Sequence, residues 1–394
     1  MNKSLNRPKN NKNITENIKN VFFGYWGIWV VLTFLFIFFT IKISGYLPPV
    51  REEVEVAEAM KTPTFGEPEY VGSKRCKDCH WREYDTWRNT LHSKFMQRAD
   101  EYTVMGDFER NNKLTAKVSN KSPKLAGEEV DTTMFKKDGK FYVSTTGPDW
   151  EFHNYEITNV IGIGRRQNYL TKFPNGEIHV LPVEWDLKME TWIDLNGLNN
   201  NIPGDGEYWS DSESIWQFKC GGCHVTGLQI NYDKINNYLD STWADPGIAC
   251  EACHGPGGNH VKAASEYFDY EKETIINPAN LPWRLRAMVC GQCHNWGAST
   301  VEVAQYKEGF PKNYGYAYNY RPGKALYLFY MEASFTFHEK IHHQQYNEWK
   351  TSVHANTGIM CTNCHSVHQK EDIKTAMTKL TSDSLCMSCH VTLL

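Results

Sequence analysis

The sequence predicts a mainly α-helical and irregular fold that carries a small antiparallel β subdomain and one N-terminal transmembrane helix. Three observations lead to this prediction. Residues 21–45 open with an uncharged apolar run, residues 132–195 alternate apolar and polar side chains, and most of the remaining chain has the pattern of short helices and loops. With 394 residues, of which 41% are hydrophobic and 22% charged, the chain is long enough for a substantial folded core.

The first predicted element is the apolar run "VFFGYWGIWVVLTFLFIFFTI" at 21–41. A helix of this length spans about 30 Å, the hydrocarbon thickness of a bilayer. Basic residues dominate residues 1–20, which predicts a cytoplasmic tail and places the rest of the chain across the membrane. A cleaved signal peptide is the alternative, but the run is long for one and no A-x-A site follows. We therefore expect a single-pass protein of the bacterial inner membrane, with its folded part on the periplasmic side.

The next predicted elements are a linker and a folded part. Residues 46–70 hold four prolines and a run of acids, which predicts an extended linker before a domain at 71–394. Within that domain, the sequence Pro174-Asn175-Gly176 separates two alternating runs, a strong hairpin signal, so 132–195 is predicted as a β-rich insertion. The clearest helices are predicted at 80–99 and 338–355.

The twelve cysteines carry the strongest functional signal. They form six C-x-x-C-H motifs and none is left over. In such a motif the two thiols attach covalently to a haem and the histidine binds its iron. Zinc clusters and thioredoxin-like redox pairs also use C-x-x-C, but neither requires a histidine after every second cysteine. We therefore expect six covalently bound haems c.

The predicted attachment residues are Cys76, Cys79, Cys220, Cys223, Cys250, Cys253, Cys290, Cys293, Cys361, Cys364, Cys386 and Cys389. The predicted iron ligands within the motifs are His80, His224, His254, His294, His365 and His390. The motifs are unevenly spaced along the chain, which excludes a simple tandem repeat.

Nine further histidines are available as second axial ligands. His365 and His368 would share one helix face, so His368 is expected to bind a neighbouring haem. A helix from His80 would carry His92 about 18 Å away, again too far for the same iron. The tight turn in "CEACHGPGGNH" (250–260) similarly directs His260 to a different haem. The predicted distal ligands are His92, His260, His343, His354 and His368. His338 and His342 are left open in place of His343. For the sixth iron, the open alternatives are His338, His342, His153, His179 or no protein ligand.

Three segments resemble the bacterial multihaem cytochromes c related to the cytochrome c-554/c-prime family. They are "GSKRCKDCHWREYDTWRNTLH" (72–92), "CEACHGPGGNH" (250–260) and "QYNEWKTSVHANTGIMCTNCHSVH" (345–368). The resemblance comes in patches from about residue 70 to 394 and leaves out the N-terminal segment. It implies a mostly α and irregular fold wrapped around closely stacked haems, and extracytoplasmic electron transfer. It also implies distal-ligand positions for four histidines: His92, His260, His354 and His368.

Motifs and composition together predict an electron-transfer protein with no catalytic residue of its own. Six haems would pass electrons between a membrane redox complex or quinol pool and a periplasmic carrier, with residues 21–45 in the lipid bilayer. The formal net charge of −4 gives no case for nucleic acid. The alternative is a reductase of the nitrite or hydroxylamine class with one open haem, and a haem filament is a third hypothesis.

Overall fold

The structure, a computed structural model, describes most of the chain between residues 69 and 391. The described residues are 33, 69–162, 164–266, 274–299, 314–333, 343–368 and 378–391. The chain divides into two compact units, Met1–Glu55 and Val56–Leu394, and the architecture below belongs to the second. The predicted tail at 1–20 and nearly all of the predicted linker at 46–70 lie outside the described residues.

The predicted membrane segment needs correction. Across the described residues, no helix combines the length and apolarity that crossing a bilayer requires. The longest of them, Gly258–Glu266 and Trp283–Gly291, have nine residues each. Such a helix reaches only about 14 Å, half of the hydrocarbon thickness. The predicted helix at 21–45 falls, apart from Thr33, outside the described residues. By the absence of such a helix among the described residues, the predictions of a transmembrane helix and of a single-pass inner-membrane location are contradicted. The predicted bilayer contact stays a prediction.

Antiparallel sheet is more extensive than the sequence predicted. The described strands are β1 (Met96–Arg98), β2 (Lys113–Lys117), β3 (Glu129–Lys137), β4 (Lys140–Thr146), β5 (Phe152–Glu156), β6 (Asn159–Ile161), β7 (Arg166–Lys172), β8 (Ile178–Asp186), β9 (Thr191–Asp194), β10 (Val225–Thr226), β11 (Tyr232–Asp233), β12 (Tyr238–Leu239), β13 (Asp245–Pro246), β14 (Gly297–Ser299) and β15 (Tyr330–Glu332). They form a five-stranded sheet (β1-β6-β7-β8-β9), a four-stranded sheet (β2-β3-β4-β5) and three two-stranded sheets (β10-β13, β11-β12 and β14-β15).

The prediction of a mainly α fold with one small β subdomain is therefore wrong. Helix and strand content are about equal among the described residues. The reason lies in strands such as β2, where a single side chain, Ala116, is buried and lysines dominate the exposed face. Such a strand gives a weak hydrophobic alternation. The predicted hairpin is confirmed, because β7 and β8 pair antiparallel on either side of Gly176.

The helices are short and mostly surround the cysteine motifs. They are α1 (Ser73–Cys76), α2 (Trp81–Trp87), α3 (Leu91–Lys94), α4 (Trp216–Lys219), α5 (Gly221–His224), α6 (Cys250–His254), α7 (Gly258–Glu266), α8 (Trp283–Gly291), α9 (Gln345–Lys350), α10 (Val353–Asn356), α11 (Cys361–Cys364) and α12 (Ser382–Met387). In the described part of the chain, three 3₁₀ turns lie at Ser212–Ser214, Pro278–Asn280 and Leu326–Leu328.

The two long helices predicted from the sequence are broken. The segment 80–99 forms α2 and α3 and then enters strand β1, because the Thr90 side chain accepts a hydrogen bond from the Ser93 N–H and starts a new helix. Within 338–355, the described part forms α9 and α10, and the Ser352 side chain accepts from the Ala355 N–H in the same way. Both breaks change the direction in which a following histidine points.

The two larger sheets enclose one aromatic core. Their buried side chains meet in a single cluster that includes Met134, Phe141 and Val143 from the four-stranded sheet and Tyr169, Leu181, Val183 and Trp192 from the five-stranded sheet. A second cluster joins Met96, Leu170 and Ile178 to Trp216, which precedes the second C-x-x-C-H motif. The five-stranded sheet therefore supports that motif from one side.

Candidate functional site

Each C-x-x-C-H motif lies on or beside a short helix. In four motifs the histidine N–H donates to the carbonyl of the first cysteine: His80 to Cys76 at 2.9 Å, His294 to Cys290 at 3.0 Å, His365 to Cys361 at 2.8 Å and His390 to Cys386 at 2.9 Å. This bond closes one helical turn. Two thiols and one imidazole are thereby held within a single turn, which suits attachment of one haem.

The cysteines are available for thioether bonds. None of the twelve, all of which are described, forms a disulfide. Among the described residues, no group of three or more His, Cys, Asp or Glu side chains is arranged to hold a metal ion.

Four motif histidines each face a histidine from another segment. The ring centroids are 6.2 Å apart in three of these pairs and 6.1 Å apart in the fourth. The pairs are His80 with His260, His294 with His92, His254 with His368, and His390 with His354. His92, His260, His354 and His368 thus each face a histidine other than that of the motif nearest to them in sequence.

The spacing of these rings fits a haem iron between them. A metal–nitrogen bond is about 2.0 Å, and an imidazole nitrogen lies about 1.1 Å from its ring centroid. Two imidazoles on opposite sides of one iron therefore have centroids about 6.2 Å apart. The residues present thus fit the group that the motifs call for. Val353 and Val391, which flank His354 and His390, are 75% and 65% exposed.

The fifth predicted distal ligand, His343, lies near His224 of the second motif. Burial, and to a smaller extent the charge of nearby His343, lower the pKa of His224 to about 4. The His343 ring also packs 5.0 Å from Trp296. His365 of the fifth motif also lies near His92, since its charge contributes to the lowered pKa of His92.

The protonation states of the buried histidines suit iron binding. Burial, followed by the charges of His294 and His365, lowers the pKa of His92 to about 4. Burial also lowers the pKa of His254, whose Nδ1 lies 2.8 Å from the Ile276 carbonyl oxygen. Since a carbonyl only accepts, Nδ1 carries the hydrogen and Nε2 is left with its lone pair. Imidazoles that are neutral at pH 7 and fixed in this tautomer are good iron ligands.

The motifs also touch one another. Nearby Cys250 lowers the pKa of the Cys76 thiol, and nearby Cys290 lowers the pKa of the Cys361 thiol, so each pair of thiols lies close together. Gln292, inside the fourth motif, donates from Nε2 to the Ala252 carbonyl of the third motif at 2.8 Å. These contacts bring neighbouring attachment sites close together.

His92 and His354 are each held by the same set of hydrogen bonds, which the sequence alone did not predict. In the first set, the Tyr84 N–H donates to the His80 carbonyl at 3.0 Å. The Trp87 indole donates to the Ile248 carbonyl at 2.9 Å, and the Ile248 N–H donates to the His92 carbonyl at 2.9 Å. We call residues 76–92 with 245–254 the first module.

The second set repeats these contacts with different residues. The Tyr346 N–H donates to the His294 carbonyl at 2.8 Å. The Trp349 indole donates to the Ile359 carbonyl at 2.8 Å, and the Ile359 N–H donates to the His354 carbonyl at 2.9 Å. We call residues 290–294 with 346–365 the second module. The repeated patterns Y-x-x-W-x-x-[ST]-x-H and G-I-x-C-x-x-C-H in the sequence are the signal that identifies both.

The remaining histidines lie elsewhere. His179 is fully buried, with Nδ1 at 3.1 Å from the Trp209 carbonyl and Nε2 at 3.3 Å from Glu177. His153 lies at the surface, 2.9 Å from Asp149. These partners lie at both ring nitrogens of His179 and at Nε2 of His153. His338 and His342 lie outside the described residues.

Two family models match this chain. The model for cytochrome c552 matches residues 217–392, and the model for cytochrome c554 and c-prime matches residues 75–150. Together they cover all six motifs. The first covers the last five, and the second covers the first motif and His92.

Individual relatives are also haem proteins by name. The chain is 27% identical over 318 residues to the cytochrome c nitrite reductase subunit NrfA of Nitratidesulfovibrio vulgaris, covering 68% of this chain and 60% of that protein. It is 23% identical over 216 residues to the multiheme cytochrome MtrA of Shewanella baltica, covering 52% of this chain and 46% of that protein. Among solved structures, the outer cell wall cytochrome OcwA matches with a TM-score of 0.54 and 25% identity, over 82% of this chain and 67% of that one.

Proposed function

Because the chain is a multihaem c-type cytochrome, we propose that it binds six haems and transfers electrons along them between two redox partners. The observation that carries the proposal is the exchange of histidines between motifs. In four pairs, the ring of a histidine near one motif lies 6.1 or 6.2 Å from the ring of the motif histidine of another, the spacing that fits one iron between them. Each such pair ties two attachment sites together.

This exchange supports short distances between redox centres. His260 follows the third motif and faces the first, while His368 follows the fifth motif and faces the third. The closeness of cysteines from different motifs also supports short distances between the redox centres. Closely spaced haems that supply one-electron transfer are suited to a relay.

The chain's own residues keep the relay rigid. The buried imidazoles hold no proton charge at neutral pH, because the pKa values of His92 and His224 are lowered to about 4. The Ile276 carbonyl fixes the orientation of His254, and the Gln345 side-chain oxygen lies 3.1 Å from Nδ1 of His294. Such bonds hold a ligand ring in place and tune its basicity.

The first and sixth motifs are the proposed contact points for partners. Cys79, Cys386 and Cys389 are exposed, whereas the other nine cysteines are half-buried. Trp81, next to His80, is 58% exposed. A quinol oxidoreductase or another redox complex is the proposed donor, and a small electron-carrier protein is the proposed acceptor.

The second candidate function is a reductase of the nitrite class. The observation that favours it is the 27% identity to a protein named as a nitrite reductase subunit. Such an enzyme needs one iron with a position open to substrate. The two functions therefore differ in the coordination of one haem.

The test uses the purified, haem-loaded full chain. We expect six haems per chain by alkaline pyridine absorbance, reversible reduction of all six, and no steady-state consumption of nitrite with a reduced dye as electron source. The matched control is His153→Ala, which removes a surface histidine that lies beside Asp149 and should change nothing. Fewer than six haems would contradict the count, and catalytic nitrite turnover would replace the electron carrier by the reductase.

A further inference from the structure

The two modules carry different charges beside their attachment sites. In the first module, Asp245 lies five residues before Cys250 and Glu251 lies directly after it. In the second module, the residues at the same places relative to Cys361 are Asn356 and Thr362. Two carboxylates in one module are thus replaced by an amide and a hydroxyl in the other.

Glu251 is buried between the first and third motifs. Its side chain is 1% exposed and accepts hydrogen bonds from three backbone N–H groups. Oε2 accepts from Gly72 at 2.8 Å, while Oε1 accepts from Val71 at 2.9 Å and from Gly257 at 2.7 Å. Accepting several N–H bonds and donating none is the pattern of an ionised carboxylate. Val71 and Gly72 directly precede the helix that carries the first motif. The hydrogen bonds of Glu251 therefore connect the first motif to the third motif, in which Glu251 lies.

Asp245 adds a second carboxylate at the same junction. It accepts from the Ser73 N–H and from the Ser73 hydroxyl, both at 2.7 Å. Ser73 opens helix α1, which ends at Cys76. The cations nearby are not bonded to these carboxylates: Lys74 is exposed, and Arg321 binds the Tyr70 hydroxyl at 3.2 Å.

The second module has no equivalent charge among its described contacts. Thr362 offers its carbonyl to the Lys379 ammonium at 2.7 Å, and Asn356 is exposed. A carboxylate that does approach this module, Glu332, forms an ion pair with Lys350. A paired carboxylate leaves little net charge on the neighbouring redox centre.

We propose that Glu251 and Asp245 hold the two haems of the first module at lower reduction potentials than the two haems of the second, so that electrons pass from the first module to the second. The inference rests on the proposed electron-transfer function and adds a direction to it. A buried negative charge stabilises the more positive, oxidised state of a nearby iron. Each transfer moves one electron, which oxidises the first module and reduces the second.

The test is a spectroscopic redox titration of the haem-loaded full chain and its Glu251→Gln variant. Glutamine keeps the size of the side chain and removes the charge. A unit charge about 10 Å away at an effective dielectric of about 20 changes a redox equilibrium roughly tenfold. At a fixed applied potential, we expect the reduced-to-oxidised ratio of two haems, those of the first module, to rise about tenfold, with the other four unchanged.

The control is Glu129→Gln, which removes an exposed carboxylate from strand β3 and should leave all six potentials in place. A Glu251→Gln protein with six haems and six unchanged potentials would overturn the proposal, as would a shift confined to the haems of highest potential.

If Glu251→Gln does not load haem, the Asp245→Asn variant provides the test, because the asparagine side-chain oxygen still accepts a hydrogen bond from Ser73. The same upward shift supports the proposal, and its absence overturns it. Failure of the electron-transfer function itself would appear separately, as wild-type protein without six reversible haems.

Discussion

The two modules make the same contacts but join them to the chain at different points. In the first module, Tyr84 contacts His80 within one helix, whereas Trp87 and Ile248 are 161 residues apart. In the second module the arrangement is reversed: Tyr346 reaches back to His294 in a distant segment, and Trp349 and Ile359 are ten residues apart. A large insertion therefore lies after the histidine in one module and before the tyrosine in the other.

This difference shows that the contacts, and not the chain connections, define the module. The insertion in the first module holds the two larger sheets and the second motif, and it leaves the Trp-Ile-His contacts within 0.1 Å of those in the second module. Long insertions cost little when their ends are already held together. The uneven spacing of the six motifs thus conceals a repeated structure.

The largest expected difference between the modules comes from a glycine that precedes the isoleucine in each. Gly247 and Gly358 have φ values of 72° and 78°, a region that other residues rarely adopt. A Cβ at Gly247 would lie 2.7 Å from the Ser93 carbonyl oxygen, whereas one at Gly358 would meet nothing within 4 Å. We expect Gly247→Ala to cost about 3 kcal/mol of stability and Gly358→Ala about 1 kcal/mol, since only the first adds overpacking to backbone strain.

Thermal unfolding followed by haem absorbance measures both variants against the wild type. The Gly247 variant should also disturb the haem attached at Cys290 and Cys293, because the His92 carbonyl lies 2.9 Å from the added atom. Equal destabilisation in the two modules would break the comparison.

A smaller and equal effect is expected from the tryptophans. Trp87→Phe and Trp349→Phe each remove an indole N–H and leave an isoleucine carbonyl without that donor. We expect each to cost about 1 kcal/mol, the net value of one hydrogen bond, and to weaken the hold on His92 or His354. Unfolding midpoints check the size, and cyanide binding to the oxidised protein checks whether a ligand has loosened. A large effect in one module alone would show that its contacts are not equivalent to those of the other.

Local patterns made much of the site predictable. The six motifs follow from the spacing of cysteine and histidine, and helix geometry directed His92 and His368 away from their own motifs. The structure places both opposite histidines of other motifs. Their role as iron ligands stays a prediction that the ring spacing supports.

Long-range partners were beyond the sequence reasoning. No local rule identifies His294 as the partner of His92 or His80 as the partner of His260, because these pairs depend on how distant segments pack. The sheets were underestimated because short strands with one exposed, charged face resemble loops in a hydrophobicity pattern. The long helix predicted at 80–99 failed because Thr90 caps a new turn.

The most direct test of the account is an experimental structure of the haem-loaded protein, in which both axial ligands of each iron are read. We expect the iron of the haem attached at Cys76 and Cys79 to bind His80 and His260. We also expect His294 with His92, His254 with His368, and His390 with His354 at three further irons. Irons bound instead by histidines adjacent to their own motifs, such as His254 with His260, would contradict the exchange of ligands on which the proposed relay depends.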